Sequence, residues 1–188
     1  MNFNRPLILA SSSPRRQYLM KEAGFNFVPQ TPDIDESFPA DLDITEVPKY
    51  LARKKAEVFL KNITNEIVIS SDTVVIVKNE ILNKPLNRKE ALEMLSKLSG
   101  QTHTVITAVC LLGKEKIDCF DDHTEVTFTV LTQDEMEFYV DTYKPYDKAG
   151  AYGAQDWIGL VAIEKINGSY FTVMGMPMHL VYKHLRDF

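Results

Sequence analysis

The sequence lacks the hydrophobic and cysteine patterns of several protein classes. No apolar run approaches the roughly 20 residues that cross a bilayer, and the apolar run after Pro6 is too short for a signal peptide. Cys110 and Cys119 have no C-x-x-C spacing and are compatible with reduced core thiols or with a disulfide. The four histidines form no zinc-ligand pattern. We therefore expect a cytoplasmic protein with no membrane partner.

The sequence also has no excess of positive charge. It contains 26 acidic and 21 basic residues, which gives a formal net charge of −5 at pH 7. A nucleic-acid partner is therefore not expected, although a local basic pocket is compatible with this balance. Apolar residues make up 45% of the 188 residues, enough for a substantial core. This length fits one domain or two tightly joined lobes.

One short stretch near the start of the chain combines features of an anion site. The apolar run 7–10 predicts a strand, three serines follow it, and Pro14 begins a predicted helix with Ser13 as its N-cap. Arg15 and Arg16 then fall in the first turn, where the helix dipole favours carboxylates. Free N–H groups, hydroxyls and guanidinium groups at such a turn suit a phosphate. The alternative is a capped helix with two solvated arginines.

The next region is an acidic loop over residues 30–44. Asp33, Asp35 and Glu36 lie within it, and their oxygen atoms suit a hard cation. A solvated loop without a ligand is the alternative, and by itself it explains the composition better.

A helix is predicted to follow, from an N-cap at Thr45 to about Lys61. Its predicted apolar stripe consists of Val47, Leu51, Val58 and Phe59. Lys55 falls on the same stripe, where a cation needs either a partner or a function. A lysine that extends past the apolar edge to solvent is the alternative.

The segment 67–77 predicts a strand that is buried on both faces, with a polar interruption in its middle. Ser70, Ser71, Asp72 and Thr73 form this interruption. An unpaired buried carboxylate is costly, so we expect Asp72 to face a cleft, a metal or a basic partner. A β-bulge with a locally hydrogen-bonded Asp is the alternative.

The remaining elements are predicted from apolar periodicity and turn residues. Lys84 is held extended by the proline after it. Two helices, 87–98 and 132–143, flank a long hairpin over 102–112 and 117–130. A glycine-containing loop, 144–155, precedes a predicted strand over 158–166, a turn and a further short strand. A C-terminal helix follows Pro177.

Several motifs occur along the chain in a fixed order, and together they are far more specific than any of them alone. They are Ala10-Ser-Ser-Ser-Pro-Arg-Arg16, Asp35-Glu36, Ala52-Arg-Lys-Lys-Ala56, Ser71-Asp-Thr73, Asn83-Lys-Pro85, Leu98-Ser-Gly-Gln-Thr-His103, Asp147-Lys-Ala-Gly-Ala-Tyr-Gly153 with Gln155, and Gly168-Ser-Tyr170. This series resembles the Maf family of nucleoside triphosphate pyrophosphatases over nearly the whole chain.

The resemblance implies a fold, an activity and a cofactor. The fold would be mixed α/β, with an elongated curved sheet flanked by helices and two lobes with a central cleft (Maf/ITPase-like), in a single domain over residues 1–188. The reaction would cleave a nucleoside triphosphate between its α- and β-phosphates. A divalent cation, Mg²⁺ or Mn²⁺, would be required, and the family is usually homodimeric.

The resemblance also implies roles for individual residues. Asp72 would be the catalytic base, and Glu36 and Asp72 would hold the metal. The phosphates would be bound by four residues, Ser11, Arg16, Lys55 and Lys84. The branch acting on dTTP and UTP is similar to this sequence at three specificity positions, Arg15, Thr73 and Gln155. One departure is Asp156-Trp157, where the family more often has Gly soon after the Gln.

Other functional classes are compatible with parts of the sequence. A non-catalytic, nucleotide-binding regulator of cell division or septum formation would bind without turnover. A nucleic-acid-binding module using the Ser/Arg stretch would show salt-dependent binding, which the acidic balance argues against. A third alternative is a pyrophosphatase whose main substrates are modified pyrimidine triphosphates.

Overall fold

A computed structural model describes residues 5–188 and has a mixed α/β fold. The strands are β1 (Leu7–Ala10), β2 (Phe27–Pro29), β3 (Ile67–Val77), β4 (Glu80–Leu82), β5 (Thr102–Leu112), β6 (Ile117–Phe128) and β7 (Ile163–Asn167). The helices are α1 (Pro14–Glu22), α2 (Val47–Glu57), α3 (Arg88–Leu98), α4 (Gln133–Tyr143), α5 (Trp157–Val161), α6 (Tyr170–Val173) and α7 (Met178–Asp187), with a 3₁₀ turn at Ala149–Ala151.

The strands form one mixed seven-stranded sheet in the order β2-β1-β3-β5-β6-β7, with β4 paired to β3. Strand β1 runs parallel to β2 and β3, whereas β4 and β7 are antiparallel to β3 and β6. The expected α/β class with a mixed sheet is therefore confirmed. No helix in the described part of the chain is long and apolar enough to cross a membrane.

The chain divides into two compact units, and the first carries the three motifs nearest the start of the chain. It comprises residues up to Asp72, Thr107–Asp122 and Gly175–Phe188. Helix α2 packs on the sheet through its small residues Ala52 and Ala56, which contact apolar side chains of β1, β3 and β5. Alanine at these positions lets the helix approach the strands closely, which brings the polar side chains of α2 within reach of β3.

The second unit comprises Thr73–Ile106 and His123–Met174. Its core is built from β3, β5 and β6 residues against helices α3 and α4, with Leu95, Leu98 and Tyr139 fully buried. Both helices start as predicted. Asn87 accepts a hydrogen bond from the Glu90 N–H, and Thr132 forms a capping box with Glu135.

Two predicted caps are wrong. The side chain of Ser13 makes no capping bond to α1; its N–H instead donates to Ser11 Oγ at 3.2 Å. Thr45 does not cap α2, because the helix begins at Val47 and Glu46 holds the N-cap position. The Thr45 N–H and hydroxyl both donate to Asp43 Oδ1. The helix ends at Glu57, so Val58 lies beyond it and is exposed. An N-cap side chain accepts a hydrogen bond from the first helical turn, which Ser13 does not do and for which Thr45 lies too far before Val47.

The predicted strand over 158–166 is wrong in its first half. Residues Trp157–Val161 form helix α5, and only Ile163–Asn167 are extended. The apolar run misled the prediction because Leu160 is 83% exposed while Ile158 is fully buried. Gly159 permits this turn, since a Cβ there would lie 1.9 Å from the carbonyl oxygen of Ala154. The further strand predicted after Gly168 is likewise a helix, α6.

Candidate active site

The first unit contains a buried ammonium group shared by two carboxylates. Lys55 is 6% exposed, and its Nζ lies 2.6 Å from Asp72 Oδ1 and 2.7 Å from Glu36 Oε1. Asp72 is also buried, whereas the Glu36 side chain is about half exposed. Burial of a charge is tolerated when it is paired and hydrogen-bonded. Asp72 therefore faces a basic partner, which was one of the three surroundings expected for it.

The polar interruption of β3 is satisfied by neighbouring backbone groups. Ser70 Oγ donates to the carbonyl oxygen of Ala52 in α2, and Ser71 Oγ donates to the carbonyl oxygen of Gly175 at 3.0 Å. These bonds fix the strand against α2 on one side and against the segment before α7 on the other. Asp72 is consequently held at a defined position next to Lys55, within a strand that runs through the whole polar segment.

Arg16 is oriented by the same backbone groups. Its Nε donates to the carbonyl oxygen of Gly175 at 2.9 Å, and Nη1 donates to that of Ser71 at 2.7 Å. Desolvation lowers the pKa of Arg16, while the negative charge of Asp72 acts in the opposite direction. The guanidinium is thus a pre-positioned cation whose electrostatic partner is the candidate catalytic carboxylate.

The serine turn before α1 lies in the same unit. Ser11 is buried, and its Oγ accepts the Ser13 N–H described above. Arg15 is half-buried, and its positive charge contributes to the lowered pKa of Arg16. The turn therefore places two adjacent cations next to a buried hydroxyl.

The acidic loop contributes one carboxylate to the cluster. Glu36 contacts Lys55, whereas Asp35 accepts hydrogen bonds from the hydroxyl and N–H of Ser37, which lower the pKa of Asp35. Asp33 is exposed. The sequence assigned Glu36 to the metal and left open whether Asp33 or Asp35 joins it.

The residues present fit a divalent cation that is completed by substrate. Within residues 5–188 no group of three or more His, Cys, Asp or Glu side chains could hold a metal by itself. The carboxylates of Glu36 and Asp72 nevertheless converge on one point, the Lys55 ammonium. Mg²⁺ typically takes one or two carboxylates together with substrate phosphates and waters. Two convergent carboxylates match that ligand set.

Three residues with expected roles lie in the second unit. Thr73 is half-buried in β3, and Lys84 is exposed just after β4. Gln155 is exposed, and its Nε2 donates to Asp156 Oδ1 at 3.2 Å. Sequence reasoning noted Asp156 only as a departure from a family pattern and missed its hydrogen bonds altogether.

A buried aromatic cluster also lies in this unit. His103 is 2% exposed, and its Nε2 is 2.8 Å from the Tyr152 hydroxyl. Both rings pack edge-to-face against Phe128. Burial lowers the pKa of His103 to about 4, so the imidazole is neutral at pH 7. The cluster supports the loop that contains Tyr152 and carries no exposed reactive group.

The two cysteines lie next to each other in the first unit. Cys110 is fully buried in β5, Cys119 of β6 is partly buried, and their sulfur atoms are 2.7 Å apart. The structure contains no disulfide between them, and the expectation of reduced thiols stays a prediction.

The family model and the relatives with similar sequences agree on one family. The family model described as "Maf-like protein" matches residues 6–188. A "dTTP/UTP pyrophosphatase" of Bacteroides fragilis is 47% identical over 183 residues, covering 96% of this chain and 95% of the relative. One of Porphyromonas gingivalis is 46% identical over 186 residues, covering 97% and 94%. The solved structure of the Staphylococcus aureus Ham1 protein is 15% identical with a TM-score of 0.48, covering 66% of this chain and 72% of that chain.

Proposed function

The chain belongs to the Maf-like protein family, and from this premise we propose that it hydrolyses dTTP and UTP to the nucleoside monophosphate and pyrophosphate. The observation that carries the proposal is the buried Lys55 ammonium between Asp72 and Glu36, with Arg16 held beside the same strand. Relatives that cover nearly the whole chain are named for this activity.

Asp72 is the proposed base of the reaction. In-line attack by water on the α-phosphorus breaks the bond to the bridging oxygen, and Asp72 orients that water or accepts its proton. When bound at Glu36 and Asp72, a divalent cation such as Mg²⁺ or Mn²⁺ supplies charge neutralisation for the phosphates. The Lys55 contact at 2.6 Å holds the Asp72 carboxylate in a fixed direction.

The cations of the first unit are proposed to bind the triphosphate. Phosphoryl transfer depends on positioning and charge neutralisation more than on covalent chemistry. Arg16 is held in place before substrate arrives, so its charge stabilises the pyrophosphate leaving group without reorganisation. Lys55, released from Glu36 and Asp72 when these carboxylates hold the metal, would add a second positive charge. Ser11 is assigned to the same phosphates. Lys84 shares this role on the strength of its motif alone.

Three further residues are proposed to recognise the base. Arg15, Thr73 and Gln155 match the specificity positions of the dTTP- and UTP-directed branch. The Gln155 amide has both a donor and an acceptor, so it can pair with the carbonyl and imide N–H of a pyrimidine. Modified pyrimidine triphosphates present the same edge and belong to the proposed substrate class.

Pyrophosphate release from a nucleotide panel tests the proposal. With Mg²⁺ or Mn²⁺ present, the wild type should turn over dTTP and UTP in preference to purine nucleotides. Asp72→Asn removes the base and should lower kcat at least ~100-fold. Asp43→Asn is the matched control, since that exposed carboxylate contacts Thr45 and lies apart from the cluster. Equal turnover by Asp72→Asn and wild type would remove Asp72 from its role.

The same nucleotide panel distinguishes the proposed enzyme from a non-catalytic, nucleotide-binding regulator. Nucleotide binding without turnover would favour a non-catalytic regulator of cell division. A homodimeric state and a cytoplasmic location remain part of the proposal, because the family resemblance implies the first and the composition suggests the second. Sedimentation of the purified chain tests the dimer.

A further inference from the structure

We propose that Asp156 is a positioning residue that fixes the amide orientation of Gln155 and so favours uracil and thymine over cytosine. The inference rests on the proposed function, in which Gln155 recognises the base. It gives a role to the position at which this sequence departs from the more usual glycine of the family pattern.

The contact between the two side chains has one chemically consistent orientation. The Nε2 atom of Gln155 lies 3.2 Å from Asp156 Oδ1. A carboxylate accepts hydrogen bonds and does not donate them, so the NH₂ group of Gln155 faces Asp156 and its carbonyl Oε1 points elsewhere. Without a neighbouring carboxylate, the amide could turn by half a rotation and exchange donor for acceptor.

Asp156 is itself anchored by a buried group. Its Oδ2 accepts a hydrogen bond from the Tyr139 hydroxyl at 2.7 Å, and the same hydroxyl accepts the Gly153 N–H at 3.0 Å. Tyr139 is fully buried. Burial, together with the bond to Asp156, raises the pKa of Tyr139 well above its usual range, so the phenol remains a donor. One carboxylate oxygen is thus held by the core while the other is available to Gln155.

The surrounding loop is shaped to admit this pair. A Cβ at Gly153 would lie 2.6 Å from both Asp156 Oδ2 and Gln155 Nε2. Only glycine therefore permits the two side chains to fold back over the loop backbone. Lys148 lies 3.8 Å from Asp156 Oδ2 and adds a cation next to the carboxylate.

This orientation gives Gln155 a preference among pyrimidines. Uracil and thymine carry an N3–H donor, which the Oε1 acceptor of Gln155 can bind, while the second proton of Nε2 can reach a ring carbonyl. Cytosine has an unprotonated N3, whose lone pair would face Oε1. A mismatch of this kind leaves a polar group unpaired and lowers the affinity for cytosine roughly ten-fold or more.

The substitution Asp156→Asn tests the inference. It keeps the size of the side chain and an oxygen that can accept from Tyr139, but it can present an NH₂ group to Gln155 and so allow the opposite amide orientation. We expect the UTP-to-CTP ratio of kcat/KM to fall roughly ten-fold. The change should appear mainly in KM, because the groups that contact the phosphates are untouched.

Two control variants separate positioning from charge and folding. Glu164→Gln removes a negative charge from an exposed position of β7 in the same unit and should keep the wild-type ratio. Asp156→Glu retains an acceptor-only carboxylate and should restore most of the preference. UTP methylated at N3 lacks the donor, so the wild type should discriminate against it more strongly than Asp156→Asn does.

An unchanged UTP-to-CTP ratio in folded Asp156→Asn overturns the inference, as does an equal loss of both activities. Failure of the proposed function has a different signature, since the wild type would then release no pyrophosphate from any nucleotide. In that event the affinities of wild type and of Asp156→Asn for the α,β-methylene analogues of UTP and CTP test Asp156, and the same UTP-to-CTP affinity ratio in both proteins overturns the inference.

Discussion

The side chain of Lys55 illustrates what a single residue reveals in sequence and what it does not. Its place on the apolar stripe of a predicted helix indicated a buried cation in need of a partner, and the structure confirms both burial and partners. The identity of those partners was not predictable, because Asp72 and Glu36 come from a strand and a loop that only tertiary packing brings to it.

Replacement of Lys55 by methionine should be strongly destabilising. Lys55→Met leaves Asp72 buried beside Glu36 with no cation between them, and breaking a buried ion pair in this way costs ~3 kcal/mol or more. Urea denaturation at neutral pH measures the loss. Lys61→Met, at an exposed position, is the control and should change stability by less than ~0.5 kcal/mol. A cost below ~1 kcal/mol for Lys55→Met would contradict the buried pair.

His103 should make the stability of the protein depend on pH. Its pKa is about 4 in the folded chain because of burial and ~6.5 when unfolded. Between these pH values the unfolded chain binds the proton more readily than the folded chain does. The contribution of His103 to the unfolding free energy, on the order of 3 kcal/mol, is therefore complete above pH 6.5 and is lost as the pH falls toward 4.

The substitution His103→Gln isolates this contribution. Glutamine can keep a hydrogen bond to Tyr152 but does not titrate, so the decline in unfolding free energy from pH 7 to pH 4.5 should be smaller than in wild type. Denaturant titrations at both pH values provide the comparison, with His179→Gln controlling for the replacement itself at an exposed position. An identical decline in His103→Gln and wild type would exclude His103 as its source.

At the scale of elements, local signals succeeded where a polar side chain directly precedes the first helical residue and accepts a hydrogen bond from the first turn. Asn87 and Thr132 cap their helices in this way, and the predicted helix starts are confirmed. Thr45 does not, because α2 begins at Val47 and Glu46 holds the N-cap position. Helix α5 was missed for a different reason, since Trp157–Val161 is apolar all round and only packing decides that Ile158 faces inward.

The loop before Gln155 should be sensitive to an added methyl group at Gly150. This residue has a φ of 67°, and a Cβ there would lie 3.0 to 3.1 Å from three atoms of Val75 in β3. Gly150→Ala therefore combines left-handed backbone strain with overpacking and should cost ~2 kcal/mol of unfolding free energy. Thermal or urea denaturation measures it.

A double-mutant cycle separates the two causes. In a Val75→Ala background the overpacking is relieved while the backbone strain stays, so Gly150→Ala should cost less there, by ~1 kcal/mol. Equal costs in the two backgrounds would show that Val75 does not limit the space at Gly150.

At the scale of the whole molecule, the order of short motifs predicted the family, and the family model confirms it over residues 6–188. The residues assigned to substrate are distributed over both units, since Asp72 ends the first and Thr73 begins the second. Their assignments in the second unit rest on motif position alone, because single-residue chemistry does not distinguish an exposed Lys84 from any surface lysine.

Substrate binding should raise the unfolding free energy by mass action. A ligand that binds only the folded state at 100 times its Kd adds ~2.7 kcal/mol to the unfolding free energy. For a chain of this size each kcal/mol raises the Tm by roughly 2–4 °C. The α,β-methylene analogue of UTP with Mg²⁺ should give such a rise in calorimetry, whereas uridine at the same concentration should not, because it lacks the phosphates that Lys55 and Arg16 are proposed to bind. A chelator should reduce this rise in Tm. If the Tm does not rise with the analogue and Mg²⁺ both present, the result would contradict a triphosphate site.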